Sequence, residues 1–124
     1  MYKILVVDDE EKIRDILEKF LTKSGFEVIT ATGGQEAIEI LKSDIKFDLA
    51  VLDMKMPKVS GADFLQEMKN LNKMISVILL TGSIDAEKYF ASLKELDFKE
   101  ENICYKPVDL FALLDLVKKK LDIT

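Results

Sequence analysis

The architecture of this chain follows from one stretch, Phe47-Asp48-Leu49-Ala50-Val51-Leu52-Asp53-Met54-Lys55-Met56-Pro57. The apolar run at positions 49–52 is too short for a helix and lacks the polar alternation of a half-exposed strand. It predicts a strand buried on both faces, which is typical of a parallel sheet covered by helices. The strand ends on the carboxylate of Asp53, and ligands of open α/β sheets bind outside the carboxyl ends of the strands. Taken alone, Asp53 is equally well explained as a turn residue.

Four more short apolar runs predict the other strands, at residues 4–7, 28–31, 77–80 and 103–105. Between the first two runs, apolar residues recur at helical spacing, at Ile13, Ile16, Leu17, Phe20 and Leu21. The same spacing predicts helices after Gly34, with Ile45 on the apolar side, and after Gly61. A less regular helix would bury Ala86, Tyr89, Phe90 and Leu93, and the last helix would have Asp109 as its N-cap.

Five strands alternating with five helices over 124 residues predict an α/β fold. We expect one doubly wound (βα)5 domain with a five-stranded parallel sheet of order 2-1-3-4-5 and helices on both faces, a flavodoxin-like architecture. The domain would span residues 1–124 with no separate output domain.

Composition narrows the function. A net charge of -5 argues against a nucleic-acid-binding surface and suits docking to a basic or apolar patch on another protein. One cysteine, Cys104, excludes an internal disulfide, and without histidine a zinc site cannot be assembled. No run is long enough for a membrane span or a signal peptide, so we expect a cytoplasmic protein with no membrane partner.

Four strands end in residues able to do chemistry: Asp8 with Asp9, Asp53, Thr81 and Lys106. The first and third strands are neighbours in the predicted order, so the three aspartates should converge. Such a cluster requires a cation, and oxygen ligands with an open position suit Mg²⁺. A carboxylate beside that ion can attack phosphorus and form an aspartyl phosphate, with Lys106 and Thr81 contacting the phosphoryl oxygens. Each residue alone has an ordinary structural explanation, but the joint pattern is specific.

Four motifs together resemble the receiver domain of two-component response regulators. They are Val6-Val7-Asp8-Asp9-Glu10, Leu52-Asp53-Met54-Lys55-Met56-Pro57 with Gly61, Leu80-Thr81-Gly82, and Tyr105-Lys106-Pro107. They occur in the family's order and span nearly the whole chain. The resemblance implies a CheY-like fold. The strand order of that fold, 2-1-3-4-5, is the order predicted above.

The resemblance also implies roles for individual residues. Asp53 would accept a phosphoryl group from a sensor histidine kinase, and Mg²⁺ would be held by Asp9, Asp53, the backbone carbonyl of Lys55 and, largely through water, Asp8. Thr81 would be the switch hydroxyl and Lys106 the charge partner of the phosphoryl group. The Lys106-Pro107 peptide bond would be cis.

The chain departs from the family pattern in two places. The family often has Tyr or Phe three residues before the lysine, where this chain has Ile103. Either the aromatic switch is absent and Ile103 repacks, which we favour, or Tyr105 takes part of the role. The stretch from Thr81 to Lys106 is also longer than usual, with the excess best placed at residues 97–102.

The resemblance leaves two signalling functions open. One is a stand-alone switch that controls binding to a protein target, and the other is a phosphorelay carrier that passes its phosphoryl group to a histidine phosphotransfer protein. We expect a monomer that can dimerise on phosphorylation, and no enzyme activity beyond its own phosphorylation and dephosphorylation. An aspartate-nucleophile phosphatase would need a carboxylate where Lys55 stands. A flavin-binding domain would not place Asp8, Asp9 and Glu10 beside a phosphate.

Overall fold

The structure is a computed structural model that describes residues 1–56, 58–82, 91 and 93–123. Its strands are β1 (Lys3–Val7), β2 (Glu27–Ala31), β3 (Leu49–Asp53), β4 (Ser76–Thr81) and β5 (Ile103–Tyr105). The α-helices whose bounds lie within the described residues are α1 (Glu11–Lys23), α2 (Gly34–Lys42), α3 (Gly61–Asn70) and α4 (Leu110–Lys120), and a 3-10 helix spans Glu100–Asn102. Of the less regular helix, Ala86, Tyr89 and Phe90 lie outside the described residues, as does Pro57, whereas Leu93 is helical and buried, as predicted. In the part of the chain that is described, no helix is both long and apolar enough to cross a lipid bilayer.

The five strands form one parallel sheet in the order β2-β1-β3-β4-β5, which confirms the predicted topology. At the carboxyl edge Val7 is paired with both Ala31 and Leu52, and Asp53 is paired with Leu80. The residues that follow β1 and β3 therefore emerge side by side, as the 2-1-3-4-5 order requires.

Each face of the sheet contributes to its own hydrophobic core. Alternate strand residues, such as Ile4 and Val51, pack with Leu17 of α1 and Leu113 of α4. Their neighbours, such as Leu5 and Leu52, pack with residues of α2 and α3 on the other side. All five residues of β3 are buried, as the unbroken apolar run predicted. Because β3 is buried on both faces, its position is fixed, and so is the position of Asp53 at the end of the strand.

Ile16 and Ile45 were predicted to be buried, but both are exposed. Ile16 is 53% exposed because the buried side of α1 is centred on Leu17 and Leu21, and Ile16 falls outside that stripe. Ile45 is 45% exposed because α2 ends at Lys42, so that Ile45 no longer follows a helical repeat. The helical repeats of α1 and α2 were predicted correctly. The width of the apolar stripe on α1 and the C-terminal boundary of α2 were predicted wrongly.

Local capping sets the starts of the helices beside the carboxyl edge. The Asp109 carboxylate accepts hydrogen bonds from the backbone N–H groups of Phe111 and Ala112, which confirms it as the N-cap of α4. At α3, Ser60 and Asp63 form a reciprocal capping box. Gly61 permits this helix start to approach β3, because a Cβ there would lie 2.9 Å from Leu79 Cδ2 and 3.2 Å from Met54 Cα.

A second close approach joins α2 to the loop that follows β3. A Cβ on Gly34 would lie 2.5 Å from the backbone oxygen of Val59. We expect Gly34→Ala to lower the free energy of unfolding by about 1–3 kcal/mol, although alanine is the better helix former, because backbone must move. Urea unfolding measures the change.

Gly33 offers the matched control for that substitution. Its backbone is extended, with φ of -174°, and no atom of the described residues lies within 4 Å of an added Cβ. Gly33→Ala should lower the free energy of unfolding by less than about 1 kcal/mol, the loss expected when alanine replaces glycine at an N-cap. A Gly34→Ala protein as stable as Gly33→Ala would contradict the steric argument.

Both ends of the described chain lie toward the amino edge of the sheet, away from Asp53. Met1 precedes β1 and is almost fully exposed. The last turn of α4 contributes Lys119 and Lys120 to a shallow cavity that is also lined by Ser76 and Asn102, at the starts of β4 and β5. The final helix therefore runs back from the carboxyl edge to the opposite edge.

Candidate functional site

The carboxyl ends of β1 and β3 bring three aspartates together. Asp8, Asp9 and Asp53 each offer a carboxylate oxygen within 4.8 Å of the others. Asp8 and Asp53 are buried, whereas Asp9 is exposed. The convergence predicted from the strand order is therefore present in the structure.

Lys106 enters the same cluster from the end of β5. Its Nζ lies 3.4 Å from Asp53 Oδ1 and 3.8 Å from Asp8 Oδ2. The backbone anchors it, because the Lys106 N–H donates to the carbonyl of Thr81 at 2.8 Å. The Lys106-Pro107 peptide bond is cis, the geometry that the resemblance implies. One ammonium group thus faces two buried carboxylates.

Burial and mutual repulsion perturb the acids of this cluster. Loss of solvent raises the pKa of Asp53 to about 6, and the charge of Asp8 acts in the same direction against the opposing effect of Lys106. Burial also raises the pKa of Asp8. Burial alone would lower the pKa of Lys106, but the charges of Asp53 and Asp8 outweigh it and raise that pKa. Asp8, Asp9 and Asp53 together therefore carry more negative charge than the Lys106 ammonium alone neutralises.

This repulsion predicts a pH dependence of stability in the metal-free protein. The pKa of Asp53 is higher in the folded chain than its ordinary value of 3.8. Protonated Asp53 therefore contributes to the free energy of unfolding relative to deprotonated Asp53, and this contribution is complete below pH 3.8. The contribution is lost as the pH rises through about 6. We expect urea unfolding in EDTA to show a loss on the order of 2 kcal/mol across this window.

Asp53→Asn is the control for the pH measurement, because it keeps the shape of the side chain and removes its titration. The stability of the variant should change less between pH 4 and pH 7 than that of the parent chain. Identical pH profiles for the two proteins would show that Asp53 is not the group responsible.

The donor set fits a magnesium ion. Among the residues that the structure describes, Asp8, Asp9 and Asp53 could hold an ion here, and each offers a carboxylate oxygen, the kind of ligand that Mg²⁺ prefers. Asp8 Oδ2 is buried, and none of the residues that the structure describes donates a hydrogen bond to it; at 3.8 Å the Lys106 ammonium is too distant to do so. A buried acceptor of this kind is costly unless it meets a cation. The ligand residues expected from the sequence are Asp8, Asp9, Asp53 and the carbonyl of Lys55.

Thr81 and Lys55 lie beside the cluster in different ways. Thr81 is buried at the end of β4, and its hydroxyl donates to the carbonyl of Gly82 at 3.0 Å. The backbone N–H of Lys55 donates to Asp53 Oδ1 at 3.3 Å, a long hydrogen bond, while its side chain is exposed. The Thr81 hydroxyl would have to leave Gly82 to reach a group on Asp53.

Ile103 and Tyr105 lie outside the carboxylate cluster. Ile103 is partly buried against the core between the sheet and helices α2 and α3. Tyr105 is paired with Thr81 across the sheet and is 47% exposed. Ile103 is therefore packed in the core, paired with Leu79 of β4, whereas Tyr105 lies at the surface beside Thr81.

Two further residues contact the site without having been assigned a role from the sequence. The Glu10 carboxylate lies 4.0 Å from Lys106 Nζ, and the Glu10 backbone N–H donates to Asp8 Oδ1 at 2.9 Å. The Arg14 guanidinium donates to the backbone carbonyl of Asp8 at 2.8 Å. The sequence carries no signal for the Arg14 contact, because it depends on the conformation of a long side chain.

Comparison with known proteins agrees with the geometry. The family model described as "Response regulator receiver domain" matches residues 4–118. The response regulator SaeR of Staphylococcus epidermidis is 43% identical over 82 residues, and SaeR of Staphylococcus aureus is 44% identical over 82 residues. Each match covers 66% of this chain and 35% of the relative. The chain thus spans about a third of the length of these curated relatives.

Solved structures extend the similarity to nearly the whole chain. A response regulator receiver domain protein from Clostridium thermocellum is 33% identical with a TM-score of 0.84, and the match covers 98% of this chain and 95% of that one. A CheY-like receiver domain protein from Methanospirillum hungatei is 29% identical with a TM-score of 0.86, covering 98% and 94%.

Proposed function

The chain belongs to the response regulator receiver domain family, and from that premise we propose that Asp53 accepts a phosphoryl group from the phosphohistidine of a sensor histidine kinase. The observation that carries the proposal is the position of Asp53. Its carboxylate lies at the end of a fully buried strand, 3.4 Å from a lysine ammonium and within reach of two other carboxylates.

In the proposed reaction, an Asp53 oxygen forms a bond to phosphorus as the bond from phosphorus to the imidazole nitrogen breaks. The electron pair of the broken bond stays with the imidazole, which takes up a proton from solvent. Mg²⁺, held by Asp8, Asp9, Asp53 and the Lys55 carbonyl, would neutralise charge on the transferring oxygens. No enzymatic turnover of another substrate is proposed.

Lys106 supports the product state. Its ammonium already pairs with Asp53, so it is placed to bind an oxygen of a phosphoryl group carried by that residue. The Thr81 hydroxyl can offer a second hydrogen bond once it leaves Gly82. We propose that Lys106 and Thr81 couple phosphorylation of Asp53 to a conformational change of the chain.

The proposed output is a change in binding to a partner protein. Movement of Thr81 would open space next to β5, where Ile103 is packed and Tyr105 is exposed, and we propose that Ile103 repacks in response. A target is controlled only if it binds one of the two states more tightly. The stand-alone architecture, the cytoplasmic location, a monomer that dimerises on phosphorylation, and the alternative of a phosphorelay carrier remain predictions.

Incubation with acetyl phosphate tests the proposal. Intact mass should show one added phosphate in the presence of Mg²⁺ and none when EDTA removes the ion. An acyl phosphate on Asp53 should be cleaved by hydroxylamine. A phosphate that forms equally well in EDTA, or that resists hydroxylamine, would rule out the proposed chemistry.

A further inference from the structure

Among the described residues, three carboxylates form ion pairs with the Lys106 ammonium, and two of them have a role in the proposed function. Asp8 and Asp53 approach it from the buried side of the site. Glu10 approaches it from solvent, with its side chain 62% exposed and its Oε1 4.0 Å from Lys106 Nζ. Glu10 is neither an expected metal ligand nor the nucleophile.

Backbone structure holds Glu10 at this place. Its N–H donates to Asp8 Oδ1 at 2.9 Å, and its carbonyl accepts from the Arg14 N–H at 3.0 Å in the first turn of α1. Asp53 is buried and Glu10 is exposed, so the Glu10 carboxylate lies on the solvent side of the Lys106 ammonium that also pairs with Asp53.

We propose that Glu10 is a specificity-determining residue that disfavours phosphodonors of high negative charge. Its carboxylate repels an incoming anion, and it also competes with the donor's phosphoryl oxygens for the Lys106 ammonium. Both effects increase with the charge of the donor. Small dianionic donors are therefore penalised relative to donors that carry less charge. This inference rests on the proposed phosphoacceptor function of Asp53.

The expected effect is modest and depends on salt. Exposed ion pairs contribute little, so removing the Glu10 charge should change a rate by about two- to five-fold at low ionic strength. In 1 M salt the Debye length is about 3 Å, and the effect should shrink. A contact that acts only through packing would not respond to salt in this way.

The experiment compares Glu10→Gln with Glu11→Gln. Both substitutions remove one carboxylate charge from neighbouring exposed positions, but no ion pair joins Glu11 to Lys106. Phosphorylation by dianionic acetyl phosphate and by the less charged phosphoramidate is measured at saturating Mg²⁺. Glu10→Gln should raise the rate constant for acetyl phosphate by about two- to five-fold, with a smaller gain for phosphoramidate and a smaller gain still in Glu11→Gln.

Calorimetric titration with Mg²⁺ alone supplies a readout that does not depend on phosphorylation. Loss of the Glu10 charge should weaken Mg²⁺ binding slightly, opposite in sign to its effect on the phosphodonor. A loosened loop would instead weaken metal binding and slow phosphorylation together, and that result would overturn the proposal. Equal rates in the two variants, or a gain that is undiminished in 1 M salt, would overturn it as well.

Failure of the proposed function and failure of the Glu10 role give different results. If the parent chain takes phosphate from neither donor, the proposed function is wrong and the role of Glu10 is lost with it. If the parent chain is phosphorylated but Glu10→Gln behaves like Glu11→Gln, only the role of Glu10 is wrong.

Discussion

Asp53→Asn is expected to abolish uptake of phosphate from acetyl phosphate. The amide has nearly the same shape as the carboxylate, so the fully buried strand that carries it should be retained, but the amide oxygen is a poor nucleophile. Intact mass in Mg²⁺ should show no phosphorylated species, whereas the parent chain gains one phosphate. Asp44→Asn, an exposed change in the connection before β3, is the control and should be phosphorylated normally.

The location of any residual phosphate would be informative. Hydroxylamine-sensitive phosphate in Asp53→Asn at the parent level would move the nucleophile to another carboxylate of the cluster, and Asp8 and Asp9 are its other members. Circular dichroism should be unchanged in the variant, so that a loss of reaction can be assigned to chemistry.

Asp9→Ala is expected to weaken Mg²⁺ binding by at least about ten-fold, because even residues that only support a metal ligand alter affinity by 10–100-fold. Asp9 is the exposed member of the cluster and is not part of the core, so the substitution should not unfold the chain. Isothermal titration calorimetry measures the change.

Asp15→Ala is the matched control for the metal measurement. It removes the same charge from an exposed position on α1 and should leave Mg²⁺ affinity close to that of the parent. Superimposable Mg²⁺ titrations for the parent chain and Asp9→Ala would contradict the ligand assignment.

The sheet was predictable because its signals are local. The apolar runs of β1, β3 and β4 lack the alternation of half-exposed strands, and only a covered parallel sheet buries such runs on both faces. Residues at the strand ends must then meet at one edge, which brought Asp8, Asp53 and Lys106 together.

Other features depend on distances that no local pattern encodes. Ile16 follows the helical repeat of α1 yet lies beyond the surface that the sheet covers. No glycine or proline marks the end of α2 before Phe47, so Ile45 was assigned to the wrong side of the boundary. The approach of Glu10 to Lys106 joins residues from opposite ends of the chain through side-chain conformations, which sequence spacing does not determine.

The return of α4 to the amino edge of the sheet has a practical consequence for surface-capture assays. Met1 is 92% exposed, and the last turn of α4 lies beside the starts of β4 and β5. The five residues of β1 separate that edge from Asp8 by roughly 17 Å. An affinity tag or a fused reporter attached at either terminus would therefore leave the acidic edge facing the analyte, so a kinase or target can be presented to an immobilised receiver without occlusion.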